Sequence, residues 1–156
     1  MIFIYLVRHT SYEEKYKLLP GRLPVKLSKK GVNEAQRLKK YFSDKNIEKI
    51  YSSAVLRCKQ TAEIISNGKI PIEYDKRLLE ALSAFQGYWD PNAWDQFWGH
   101  RHELGGENNT DIQNRVFDFF DTAFFEENKT YIICSHGDPL YYIYQKISGA
   151  KQLPEI

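Results

Sequence analysis

Two apolar runs along the chain each end on a histidine. Residues 2–10 are IFIYLVRHT and residues 130–138 are TYIICSHGD. Both runs are rich in Ile, Val and Tyr and are bounded by polar residues, which predicts two buried β-strands. The last residues of such strands emerge together at one edge of a sheet. We therefore expect His9 and His136 to lie close to each other.

The stretch between these runs begins with a polar loop and a helical repeat. Residues 11–26 are mostly polar and contain turn residues, so they predict a loop. Apolar residues then recur every three or four positions, with Lys and Gln between them. This spacing predicts an amphipathic helix that packs on a sheet through Val32, Ala35, Leu38 and Phe42.

A second strand and helix follow the first helix. Residues 48–53, EKIYSS, predict a short strand, and residues 55–65, VLRCKQTAEII, predict a helix. Alternating apolar positions at residues 70–74 predict a third strand. Pro71 lacks the N–H that a central strand requires, so this third strand is expected at a sheet edge.

The second half of the chain continues the alternation. A long helical repeat, capped by Thr110 or Asp111, leads into the strand that ends at His136, and a closing helix begins at about Pro139. Strands that alternate with helices predict an α/β fold with a parallel sheet covered on both faces. Ligands in such folds bind at the carboxyl ends of the strands. The apolar positions of the long helix are Ile112, Val116, Phe119, Phe120 and Ala123.

Composition limits the classes of function. The length of 156 residues predicts one domain, residues 1–156. The formal net charge of +2, with a pI of about 8.4, is too small to predict nucleic-acid binding, but it is compatible with binding of a small anion. Because Arg8 and His9 end the first apolar run, the run is too short to predict a signal peptide or a membrane span. Cys58 and Cys134 form no disulfide framework, so we expect reduced thiols and a cytoplasmic protein.

The predicted strand ends bring together groups that bind phosphate. Arg8 and His9 leave the first strand, His136 leaves another, and Arg57 lies near the start of the helix after the second strand. Two arginines, two histidines and the N–H groups of a helix start suit a dianion, and phosphate is the natural candidate. Alone, each histidine would more often be a structural residue and each arginine a solvated one. The motifs LVRHT, SSAVLRCKQTA and SHG occur in order, each at a strand end, and this joint pattern favours a phosphate site.

These motifs resemble the histidine phosphatase superfamily, which includes the cofactor-dependent phosphoglycerate mutases and many small phosphatases. LVRHT is similar to the family's opening RHG motif, YSSAVLRCKQTAEII to its second arginine motif and YIICSHGDPL to its second histidine motif. The segments GRLPVKLSKKGVNEAQRL, RLLEALSAFQGYWD and GGENNTDIQNRVFDFF extend the resemblance over nearly the whole chain. It implies an α/β three-layer sandwich with a mostly parallel central sheet, phosphoglycerate mutase-like.

The resemblance also implies roles for individual residues. His9 would be the nucleophile that forms a phosphohistidine, and Arg8, Arg57 and His136 would hold the phosphoryl oxygens. Glu80 would protonate the leaving oxygen and then deprotonate the attacking water. The alternative for Glu80 is an exposed glutamate that follows a strand.

Two positions depart from the family pattern. Thr10 stands where most members have glycine, and its hydroxyl could bond a phosphate oxygen. Lys15 lies near the place of a phosphate-binding asparagine, and Arg22 is a candidate substitute for that contact.

Residues 83–107 contain all three tryptophans and are expected to form part of the wall over the phosphate. Trp94 and Trp98 share one helical face, which favours local core over a substrate platform. His100 and His102 form a weak candidate metal pair, and solvated loop histidines are the favoured interpretation.

The sequence therefore predicts a metal-independent phosphomonoester hydrolase that acts on a small phosphorylated metabolite and uses no cofactor. A phosphoglycerate mutase is the enzyme alternative, although residues 83–107 are short for the lid that a mutase requires. A weakly active, phosphoprotein-binding pseudoenzyme is the alternative from another class, because of Thr10 and Lys15. No nucleic-acid or membrane partner is expected, and the sequence carries no signal for an oligomeric state.

Overall fold

The strands and helices alternate along the chain, as the sequence predicts. A computed structural model describes residues 1–14, 18–88 and 102–149. The elements are β1 (Phe3–Arg8), α1 (Lys29–Phe42), β2 (Ile47–Ser52), α2 (Leu56–Ser66), β3 (Ile72–Tyr74), a 3₁₀ helix (Lys76–Leu78), α3 (Asn109–Thr122), β4 (Thr130–Ser135) and α4 (Gly137–Ser148).

The four strands form one sheet in the order β1-β4-β2-β3. All three strand pairs are parallel, so the carboxyl ends of the strands lie at the same edge. β1 and β4 pair from Phe3 with Thr130 to Arg8 with Ser135. β3 is an edge strand, as Pro71 predicts, and it is shorter than the alternation suggests.

Helices cover both faces of the sheet. One face packs against α3 and α4, through a core of Tyr51, Leu78, Ile112, Val116, Phe119, Tyr131, Ile133 and Ile143. The other face packs against α1 and α2, through Val7, Phe42, Ile47, Ile50, Cys58, Ala62, Ile65, Ile132 and Cys134. Successive residues of β4 alternate between the two cores, because strand side chains point to opposite faces. The three-layer α/β sandwich is confirmed.

The helix ends correct two details of the sequence analysis. α3 is capped by Asn108, whose side chain accepts the N–H of Asp111, so the prediction of Thr110 or Asp111 as the cap is wrong. Asp111 instead accepts the N–H of Asn108 and completes a capping box. α4 begins at Gly137, two residues before Pro139, and His136 is its N-cap residue.

None of the helices in the described ranges has the length and the apolar run needed to cross a membrane.

Candidate active site

The two histidines meet at the carboxyl edge of the sheet. β1 and β4 are neighbours there, and the N–H of His9 donates to the carbonyl of Ser135 at 3.0 Å. The ring centroids of His9 and His136 lie 5.2 Å apart. β2 ends beside them, where the N–H of Ser53 donates to the carbonyl of Cys134 at 2.9 Å. The expected meeting of the two histidines is confirmed.

His9 is a buried ring with a defined proton position. Its Nδ1 lies 3.0 Å from the carbonyl oxygen of Thr10. A carbonyl only accepts, so this contact requires the proton on Nδ1 and leaves the lone pair of the neutral ring on Nε2. Burial lowers the pKa of His9 to about 4 against the pull of the Thr10 carbonyl, and the charges of Arg57 and Arg8 lower it further. The ring is therefore neutral at pH 7.

Arg57 is a buried guanidinium at the start of α2, with only 1% of its surface exposed. Its Nη2 donates to the carbonyl of Gly21 at 2.8 Å and lies 3.4 Å from the Glu80 carboxylate. Its Nε and Nη1 have no hydrogen-bond partner among the described residues. Burying N–H donors without acceptors costs free energy, so an anion that accepts from this guanidinium would be bound favourably.

His136 is fully buried beside Arg57. Its Nδ1 lies 3.1 Å from Nη2 of Arg57 and 3.4 Å from Oε2 of Glu80. Burial holds the pKa of His136 far below its ordinary value, and the charges of Arg57, His9 and Arg8 act in the same direction. Arg8 itself is exposed, and its guanidinium carbon lies 3.9 Å from where a Cβ at Gly137 would be.

Glu80 lies directly against Arg57 and His136. Burial raises its pKa, opposed by the N–H of Ala81 and the charge of Arg57, while the charge of Asp138 raises it further. A carboxyl group with a raised pKa keeps a larger protonated fraction near neutral pH, as a general acid requires. The alternative of a simply exposed glutamate does not fit, because 21% of the side chain is exposed and it contacts Arg57 and His136.

A charged cluster holds the backbone of Glu80. Arg22 donates from Nε to the Glu80 carbonyl at 2.8 Å, and Nη2 of Arg115 lies 3.4 Å from the same oxygen. Both guanidiniums bind the Glu107 carboxylate, at 3.0 Å from Arg22 and at 2.7 Å from Nε of Arg115. The N–H of Leu82 also donates to Glu107. The pKa of Glu107 is lowered despite its partial burial, chiefly by its bonds to Arg115 and Leu82, so Glu107 is a poor proton donor.

Two predicted phosphate ligands are engaged elsewhere. The guanidinium of Arg22 belongs to the cluster with Glu107 described above. The Thr10 N–H donates to Oγ1 of Thr61 at 3.2 Å, and the two hydroxyl oxygens lie 3.3 Å apart. Because Thr61 donates its own proton to the Arg57 carbonyl, the Thr10 hydroxyl donates to Thr61. A phosphate contact by Thr10 or Arg22 stays a prediction, and for Thr10 it requires the hydroxyl to turn away from Thr61.

The sequence analysis missed three neighbours of the site. Tyr12 packs edge-on against His9, with centroids 5.6 Å apart, and its ring lies 5.4 Å from the guanidinium of Arg57. Arg115 contacts the Glu80 carbonyl, and Glu107 binds the guanidiniums of Arg115 and Arg22. Their signal was the segment GGENNTDIQNR, in which an acid and an arginine lie eight residues apart at the start of a helix.

A divalent cation is a poor match for this site. Ligand atoms of His9, Glu80 and His136 lie within 4.8 Å of one another, a spacing that a metal ion could use. The charges of Arg8 and Arg57 act on all three groups and would repel a cation.

The remaining predicted residues are exposed, are buried as free thiols, or lie outside the described ranges. His102 is exposed and lies 3.7 Å from Asp111. Cys58 and Cys134 are buried free thiols. Lys15, Trp94, Trp98 and His100 lie outside the described residues.

Comparison with known proteins identifies relatives over most of the chain. A family model described as "Histidine phosphatase superfamily (branch 1)" matches residues 4–153. A protein of Hydrogenobacter thermophilus named "Putative phosphoserine phosphatase 2" is 28% identical over 161 residues, which cover 94% of this chain and 78% of the relative.

Solved structures show the same architecture. Bacillus stearothermophilus YhfR is 27% identical with a TM-score of 0.77, and the match covers 96% of this chain and 81% of that one. The α-ribazole phosphatase of Shigella flexneri has a TM-score of 0.79 at 20% identity, with 94% and 79% of the two chains covered. At 20% identity, the similarity to the α-ribazole phosphatase shows a shared fold only.

Proposed function

The chain belongs to the histidine phosphatase superfamily, and we propose that it is a phosphomonoester hydrolase that acts through a phosphohistidine at His9. The observation that carries this proposal is the pairing of a neutral His9 with the buried, partly unpartnered guanidinium of Arg57. A phosphoryl group beside His9 would supply acceptors for the free Nε and Nη1 of Arg57. Its negative charge would also offset the two arginines.

The first chemical step transfers the phosphoryl group to His9. The Nε2 lone pair attacks phosphorus while the ester P–O bond breaks, and Arg8, Arg57 and His136 hold the three other oxygens. Glu80 gives its proton to the leaving oxygen, so the alcohol departs neutral. Glu80 suits this role because its pKa is raised and its carboxylate lies 3.4 Å from both Arg57 and His136.

The second step releases phosphate. The Glu80 carboxylate takes a proton from a water molecule that attacks phosphorus, and the N–P bond to His9 breaks. Each catalytic group then returns to its starting protonation state. No step requires a metal ion, because the positive charge that opposes the phosphate comes from arginine side chains.

The substrate class we propose is a small phosphorylated metabolite. The name of the H. thermophilus relative refers to phosphoserine, which is a phosphomonoester of a primary alcohol. A small substrate fits a site in which His9, Arg57 and His136 are buried.

Hydrolysis of p-nitrophenyl phosphate in the presence of EDTA tests this proposal. We expect turnover to survive chelation and to be inhibited by vanadate, which mimics the phosphorus in its transition state. Arg57→Ala should lose about 10²-fold or more in kcat, since one oriented donor is removed. Arg37→Ala, an exposed arginine of α1, is the matched control and should keep the wild-type rate.

Three results would contradict the proposal. Loss of activity on chelation with rescue by zinc would indicate metal catalysis. Interconversion of phosphoglycerates without hydrolysis would indicate a mutase. Tight binding of vanadate without turnover of any phosphomonoester would indicate a binding module.

A further inference from the structure

Each ring nitrogen of His136 faces a different set of groups. Nδ1 lies on the side of Arg57 and Glu80, where the phosphoryl group is proposed to bind. Nε2 faces away from them, 3.0 Å from Oγ of Ser53. Sγ of Cys58 lies 3.3 Å from Nε2 and 3.9 Å from Nδ1. His136, Ser53 and Cys58 are all fully buried, so water does not replace these contacts.

The donor groups around His136 determine which nitrogen carries the proton. A guanidinium has donors and no acceptor, so the contact with Arg57 requires a lone pair on Nδ1. The proton of the neutral ring then lies on Nε2 and needs an acceptor. The Ser53 hydroxyl oxygen is the nearest one, and it is held in place because it also accepts the N–H of Val55 at 3.3 Å.

We propose that Ser53 is a positioning residue for His136: its hydroxyl oxygen accepts the Nε2–H, fixes the tautomer and keeps Nδ1 directed at the phosphoryl site. This inference rests on the proposed function, because it gives His136 a phosphoryl oxygen to bind. In this role Ser53 acts only through the ring, because its hydroxyl lies on the Nε2 side, away from Arg57 and Glu80.

The arrangement serves both states of the site. Without a ligand, Nδ1 accepts from Arg57. When a phosphoryl group engages Arg57, Nδ1 loses its hydrogen bond from Arg57 and takes up a proton from solvent or from a monoanionic phosphomonoester. The Nδ1–H keeps this proton and donates a hydrogen bond to a phosphoryl oxygen. The Nε2–H remains on Ser53 throughout, so the ring does not have to turn or exchange tautomers during the reaction.

Cys58 contacts the same nitrogen but is a weaker partner. A thiol sulfur accepts hydrogen bonds poorly compared with a hydroxyl oxygen. Burial holds the pKa of Cys58 well above its ordinary value, so the thiol stays protonated and does not provide a strong thiolate acceptor. Cys58 therefore offers a matched control, because its removal deletes a neighbour of Nε2 and leaves the Ser53 contact intact.

The test is the tautomer of His136, measured by long-range ¹H–¹⁵N NMR at pH 7 on the wild-type protein and two variants. In the wild type we expect protonated Nε2 and unprotonated Nδ1. Ser53→Ala should give a mixture of tautomers and a loss of about tenfold in kcat with KM changed less than about threefold, because a buried donor loses its acceptor. Cys58→Ala should keep the wild-type tautomer and a kcat within about threefold.

The inference is overturned if the wild-type ring carries its proton on Nδ1, a result that needs no variant to fold. It is also overturned if Ser53→Ala keeps both the tautomer and kcat, or if Cys58→Ala matches the losses of Ser53→Ala. Failure of the proposed function would appear separately, as a wild-type protein with protonated Nε2 that hydrolyses no phosphomonoester.

Discussion

At the scale of single residues, the pKa values of His9 and Glu80 are shifted in opposite directions. Burial and two arginines keep His9 neutral, with a pKa of about 4, whereas burial raises the pKa of Glu80 above its ordinary value. Near neutral pH the proposed nucleophile thus has a free lone pair, and the proposed acid has an enlarged protonated fraction. Opposite shifts in two neighbouring groups are what an acid–nucleophile pair requires.

Glu80→Gln tests the acid through the leaving group. The variant keeps the side-chain shape and removes the transferable proton, which matters most when the departing oxygen is strongly basic. We expect the rate on an alkyl phosphate to fall roughly 10²-fold or more. The rate of the phosphorylation step with p-nitrophenyl phosphate, measured by burst kinetics, should fall clearly less. Glu73→Gln, an exposed glutamate of β3, is the control. Equal losses on the two substrates would assign the acid to another group.

At the scale of elements, the close approach of α1 to the loop after His9 depends on a glycine. A Cβ added to Gly31 would lie 1.8 Å from the carbonyl oxygen of Ser11, which also accepts the N–H of Ser28. No side chain fits at that distance. The first turn of α1 and the loop that follows His9 are therefore packed backbone against backbone.

Gly31→Ala should lower the stability, even though alanine is favoured over glycine in a helix by about 1 kcal/mol. The steric overlap should outweigh that gain and leave a net loss of about 1–3 kcal/mol in the free energy of unfolding, measured by urea denaturation. Asn33→Ala, an exposed position two residues along the same helix, is the control and should be neutral or slightly stabilising. A Gly31→Ala protein at least as stable as the Asn33→Ala protein would refute this packing.

Periodicity predicted the elements well, because it reports which face of a strand or helix is buried. The strand ends at His9 and His136 followed from it directly. The cap of α3 could not be predicted from periodicity, because Asn108, Thr110 and Asp111 are all suitable cap residues and only the backbone angles select one. The sequence places Glu107 and Arg115 eight residues apart, but it does not predict the contact of Glu107 with Arg22, because that contact joins distant segments of the chain.

At the scale of the whole molecule, the buried histidines make stability depend on pH. Burial lowers the pKa of His9 to about 4 in the folded chain, whereas its pKa is about 6.5 in the unfolded chain. Between these values the unfolded chain binds a proton that the folded chain does not, so the free energy of unfolding falls as the pH falls from about 6.5 to 4. His136, whose pKa is also lowered, acts in the same direction.

Urea denaturation between pH 7 and pH 4 measures this effect. The contribution of His9 should be roughly 3 kcal/mol across the window, and His9→Gln should flatten the profile by that amount. Asn33→Ala, which changes an exposed residue of α1 that does not titrate, should leave the profile unchanged. The same slope in the His9→Gln and wild-type proteins would show that His9 titrates normally in the folded state.

Phosphorylation of His9 is the most direct test of the proposed mechanism. Phosphohistidine survives alkaline quenching, so the protein can be mixed with a phosphomonoester, quenched in alkaline denaturant within milliseconds, and analysed by peptide mass spectrometry. We predict a phosphoryl group on the peptide that contains His9, at its Nε2, and none on that peptide in His9→Ala. Hydrolysis without a phosphorylated His9 in the wild type, or a phosphoryl group carried by His136 instead, would contradict the mechanism.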